Sequence, residues 1–247
     1  MAVPTIVGTA TGGRQGSGAI TVTPPAGAGP YYAVVGMILQ AAGSLTPPAG
    51  WTLHQTGRNP DDPTYSEWAT YIGAAGAGST WTLTTVGDSE AIAIAVIGLA
   101  EPGVTPVPGG FASTHHTGTT TAAFTGNSPV ASPSGGGLVL RAVTGNPYRG
   151  AITGVTVTYP AGATLGRASA VQIIPTWDAV LAAIAAATQP PPGSTGTAQW
   201  TVEPTSPGGV PAVAAPVTLT TVLATDDDPD NPATLTVVLP RPTAGLT

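Results

Sequence analysis

The densest run of possible metal ligands is TDDDPDNP, near the C-terminus. Asp226, Asp227, Asp228 and Asp230, with Asn231, bring hard oxygen donors close together, and such donors suit Ca²⁺. Asp226, Asp228 and Asp230 are the candidate calcium ligands. The run lacks the sharp-turn glycine and the distal glutamate of an EF-hand loop, which excludes that motif. The alternative is a solvated turn between strands. Asn59, Asp61 and Asp62 form a similar, sparser turn cluster. His115 and His116 are adjacent, and neighbours in an extended segment point opposite ways, so they read as loop histidines. His54 stands far from both.

Catalytic patterns are missing. The chain has no GxSxG and no glycine-rich nucleotide loop between a strand and a helix. Acids on strands are few, chiefly Glu67, Glu90 and Glu203. The expectation is a protein that is not an enzyme and has no cofactor beyond a candidate calcium. Sugar binding would need exposed aromatic faces, and Trp51 and Tyr65 are the first candidates. Trp81 and Trp200 read as core. Trp51 reads as a loop-edge residue, so its loss is expected to cost less than theirs.

Composition narrows the remaining classes. Only 7% of the 247 residues are charged, against roughly 25% in an ordinary globular chain. There are six arginines and no lysine, and the net charge is −6. The arginines are scattered, which argues against a nucleic-acid partner. Such composition follows from a GC-rich genome, and it also fits a surface covered by neighbouring subunits. Cysteine is absent, so neither disulfides nor thiolate metal sites can form. The opening MAVPTIVGTATGG does not read as a secretory signal, and no apolar run reaches the ~18 residues of a membrane span.

The elements repeat. Thr46 to Leu53 reads TPPAGWTL, and Thr158 to Leu165 reads TYPAGATL. Each follows an apolar run (Val34 to Leu39; Leu138 to Val143). Each precedes a tryptophan strand (Ser79 to Thr85; Thr197 to Val202) and a second apolar run (Ala91 to Leu99; Val217 to Leu223). Four signals in one order, roughly 110 residues apart, predict a duplicated β unit. Further strands are predicted at Ala19 to Thr23, Trp51 to Thr56, Ser66 to Ile72, Thr120 to Phe124, Gly154 to Thr158 and Val171 to Ile174. Tyr31 to Gln40 and Ala91 to Leu99 are too continuously apolar to face water on one side. Asp178 to Thr188 is alanine-rich and helix-prone, but the repeat favours a strand there. The expected fold is all-β, an antiparallel jelly-roll-type β-sandwich of two repeated halves, residues 1–104 and 105–224, followed by an arm at 225–247. Thr234, Leu235, Val237 and Leu239 form a last strand without a counterpart in the first half. It must pair with its own sheet edge or with a neighbouring chain, and the expectation is an assembly arm on a neighbour.

Pro48 to Leu53, Trp81 to Leu83 and Ala91 to Leu99, with the second copy at Pro160 to Leu165 and Trp200 to Val202, resemble the jelly-roll-like minor tail, fibre and decoration proteins of phages infecting actinobacteria. The resemblance covers residues 1 to 224. It implies a virion protein assembled in the host cytoplasm, with copies of itself (a trimer for fibre-like members) and other virion proteins as partners. A capsid decoration protein and a module binding host surface glycans are the alternatives. It supplies no catalytic residues. The alanine-rich segment and the tail after Ala224 depart from it.

Overall fold

A computed structural model describes residues 5–27, 29–39, 42–58, 65–87, 90–100, 111–112, 124–128, 137–145, 153–174, 178–189, 196, 198–205, 217–220 and 234–240. Every regular element among them is a strand. The first half contains β1 (Ile6–Gln15), β2 (Gly18–Thr21), β3 (Tyr31–Leu39), β4 (Ser44–Thr46), β5 (Trp51–Arg58), β6 (Tyr65–Gly73), β7 (Thr80–Thr84) and β8 (Ala91–Leu99). The second contains β9 (Phe111–Ala112), β10 (Phe124–Ser128), β11 (Gly137–Gly145), β12 (Gly154–Thr158), β13 (Gly166–Ile174), β14 (Asp178–Gln189), β15 (Ala198–Thr205) and β16 (Val217–Thr220), and β17 (Thr234–Pro240) follows.

The halves have the same topology. A large sheet runs β1-β8-β3-β6-β5 in the first half and β9-β17-β11-β14-β13 in the second, each beside a three-stranded sheet, β2-β7-β4 or β10-β15-β12. All pairings are antiparallel. The repeated turns share one backbone. Gly50 and Gly162 both sit at φ +83°, and the amides of Trp51 and Ala163 donate to the carbonyls of Pro48 and Pro160. Only glycine takes that φ without strain, so the PAG sequence sets the turn. Strand register repeats as well: Thr46 faces Thr82, and Thr158 faces Thr201, each one residue past a tryptophan. A strict jelly roll pairs strands one with eight, two with seven, three with six and four with five. The first half makes the first three pairings, but β5 joins β6 rather than β4.

The four sheets stack as layers. One core lies between the first small sheet and its large sheet, with Trp81, Leu83, Ile92, Ile94 and Val96. Another lies in the second half, with Val143, Leu181, Ala183, Trp200 and Val202. The middle core joins the halves: Tyr32, Val34, Ala91, Ala93 and Ala95 meet Leu138, Leu140, Ala142, Val180, Ala182 and Ile184. This accounts for the apolar runs. In β8 (AIAIAVIGL) the alanines face the other half while Ile92, Ile94 and Val96 face their own small sheet. β14 divides its residues similarly between two cores. Small side chains on the shared face let the large sheets approach closely. A Cβ at Gly36 would collide with the Leu181 carbonyl oxygen across this interface.

One expectation holds and others need revision. Asp178 to Thr188 is strand, because β14 is buried between two layers and its alanines fit both. Of the strand expected over Thr120 to Phe124, only Phe124 lies among the described residues, where it opens β10 (Phe124–Ser128). β1 escaped the sequence reading. It is glycine-rich, and its face alternates between exposed and half-buried without strong apolar markers. The last strand finds a partner within the chain. Thr234, Leu235, Val237 and Leu239 lie in β17, which pairs with β11 of its own sheet, the in-chain alternative to a neighbouring chain. Its physical reason is an uncovered edge: among the described residues β16 pairs with β11 over Ala142 to Gly145, and β17 completes Gly137 to Arg141. Together they do what β8 alone does for β3. The strand therefore does have a first-half counterpart.

Candidate functional site

Trp51 is not a sugar platform. It is 7% exposed, stacks on Tyr31 at 5.9 Å between ring centroids and lies 5.1 Å from Trp81. Its indole N–H donates to the Gly78 carbonyl at 2.9 Å. The type II turn swings the residue after Gly50 inward, and a buried aromatic with its polar tip satisfied belongs to a core. The second copy has Ala163 at this position, and there Tyr159 packs on Trp200 instead, at 5.5 Å. Tyr65 begins β6 opposite Leu39, and its side chain lies outside the described residues. Asp226, Asp228 and Asp230, the Asn59 to Asp62 turn, His115 and His116 also lie outside them. Among the described residues no three His, Cys, Asp or Glu gather as metal ligands.

One polar cluster was not foreseen. β5 bulges: Leu53 faces Tyr71 and Gln55 faces Thr70, leaving His54 as the extra residue. The bulge aims His54 at the middle core, where its Nδ1 lies 3.2 Å from both the Tyr32 hydroxyl and Thr70 Oγ1. Burial holds the imidazole below its usual range and pushes the Tyr32 phenol up, an effect partly offset by the Thr70 hydrogen bond. Neutral imidazole and protonated phenol are thus both favoured. That suits structural hydrogen bonding. The sequence signal was a lone polar residue in an alternating strand, which gives no sign of a bulge.

The cluster predicts a pH dependence. Since the folded state disfavours His54 protonation, its contribution is complete above the unfolded value of about 6.5 and is lost as pH falls through the lower folded value. Denaturant midpoints should therefore drop between pH 7 and pH 5 more in the parent than in His54→Gln. Parallel curves would show that the imidazole does not titrate with folding.

The other described charges mostly hold backbone. Arg14 donates from Nε to the carbonyls of Gly16 and Ser17, at 3.1 and 2.9 Å. Arg167 donates to the Ala163 carbonyl at 2.7 Å and covers the Tyr159 ring. Arg141, 5% exposed, donates to the Gly196 carbonyl. Glu90 is fully buried and accepts from the amides of Val86 and Gly87.

No protein-family model, curated protein or solved structure matches this chain. The residues that define its repeat are architectural: Pro48 and Pro160 in equivalent turns, Trp81 and Trp200 in equivalent cores, and Ala91 to Leu99 between two layers. Leu53 and Leu165 also occupy equivalent positions, and both are about half exposed, at 50% and 47%. They are apolar side chains available on the surface.

Proposed function

We propose that this chain is a phage virion structural protein of minor tail or fibre type, acting through subunit contacts rather than chemistry. The supporting observation is where its distinctive residues go. The repeated turns, the paired tryptophans and four of its charged side chains all serve the four-layer body. Sparse charge supports the same reading, because a surface covered by neighbours does best with little charge to desolvate. Its partners on this reading are copies of itself and other virion proteins. A capsid decoration protein would use the same body at another place in the particle. The glycan-binding alternative has lost Trp51 to the core.

Antibodies raised against the purified chain test this by electron microscopy of particles from a phage that encodes it. Label at the tail or its fibres is expected. Label on the capsid shell would select the decoration role. Unlabelled particles, with the chain found only in the infected-cell lysate, would end the virion reading.

A further inference from the structure

We infer that β1 and β13 together form a two-layer edge that pairs with the same edge of a second copy of this chain. β1 ends the first large sheet and β13 ends the second, and no described strand pairs with the outer side of either. The two edges lie one above the other and run in the same direction. A Cβ on Gly166 would touch Ile6 at one end, and a Cβ on Gly13 would touch Gln172 at the other. An open edge offers a row of backbone donors and acceptors, and the chemistry that satisfies such a row is another extended strand.

Protective devices are weak here. β5, at the opposite end of its sheet, is interrupted mid-strand by the His54 bulge. β1 departs from regular register only near its start, between Ile6 and Gly8, and then runs evenly to Gln15. It contains no proline, and its exposed positions are Val7, Thr9, Thr11 and Gly13. The single charge on each edge strand is turned back onto its own chain: Arg14 onto the Gly16 and Ser17 carbonyls, and Arg167 onto the Ala163 carbonyl and the Tyr159 ring. Val7 and Leu165, 41% and 47% exposed, add apolar surface near the Ile6–Gly166 end.

Self-pairing fits this geometry better than a foreign strand does. A two-fold axis normal to the layers sets β1 antiparallel to its own copy and, in the next layer, sets β13 against β13. One operation covers both edges and closes the assembly at a dimer. A single added strand would cover only one layer. The inference rests on edge chemistry and holds whether or not the chain belongs to a virion.

The test uses the full chain. Light scattering after size exclusion should give a mass near twice 24.1 kDa. Thr9→Lys with Thr11→Lys places like charges across the axis and should weaken dimerisation more than about tenfold, with an unchanged far-UV spectrum. Thr52→Lys on β5 should leave it intact. Because the chain has no cysteine, Thr9→Cys, Ala10→Cys and Thr11→Cys, each alone, can be oxidised to an intermolecular disulfide without background. At least one should form a covalent dimer, and Thr52→Cys should not. A monomer across the micromolar range, or a dimer that survives the lysines and gives no β1 cross-link, would overturn the proposal.

Discussion

Replacing Trp200 with alanine is expected to cost about 3–5 kcal/mol, and Trp81→Ala should cost the same. Both side chains are fully buried, and each stands on the middle strand of its small sheet facing the large one. Trp81 also packs edge-on to Tyr71, with ring centroids 5.1 Å apart, and against Trp51 at the same distance. Either truncation leaves a cavity between two rigid layers that collapse poorly, which places the cost towards the upper end. Trp51→Ala now belongs with them. Besides its ring contacts it leaves the Gly78 carbonyl without the indole donor, so a loss of about 3 kcal/mol or more is expected. Denaturant melts of the three variants check this. A Trp51 variant that melts like the parent would return that residue to the loop edge.

Gly36→Val should be the most damaging change on the shared face. Gly36 lies on β3 among residues that face the other half, and any Cβ there runs into the Leu181 backbone. The obstacle is main chain, so no rotamer relieves it and the two large sheets must separate. A destabilisation of about 3 kcal/mol is expected, with Gly36→Ala smaller but of the same sign. Gly76, in an open turn where a Cβ meets nothing, is the comparison site. Its positive φ of 76° makes Gly76→Ala a conformational cost alone, of about 1 kcal/mol. Equal losses at the two positions would mean that the halves do not approach each other as closely as described.

Much of this fold was legible because burial on two faces leaves a plain mark. Tyr31 to Gln40 and Ala91 to Leu99 read as doubly covered strands, and β3 (Tyr31–Leu39) and β8 are wholly buried. The PAG turns were legible because one glycine conformation fixes them. Trp51 was misjudged because its counterpart is Ala163. Nothing in the sequence shows that Tyr159, four residues earlier, takes over the packing on the second tryptophan. The place of β17 is not legible because the vacancy it fills is spatial rather than sequential, the part of β11 that the described residues of β16 leave open. The His54 cluster depends on a bulge, and bulges arise from strand pairing that local sequence does not encode.

The central claim is that two copies of one β unit share a core and fold as one body. Its most direct test is equilibrium unfolding of a variant that combines Trp177→Phe with Trp200→Ala. The remaining tryptophans, Trp51, Trp68 and Trp81, all lie in the first half. Their fluorescence should report a single transition that coincides with far-UV circular dichroism and is shifted to lower denaturant than in Trp177→Phe alone. A first-half transition that stays in place while the second half unfolds earlier would show two independent cores and contradict the shared one.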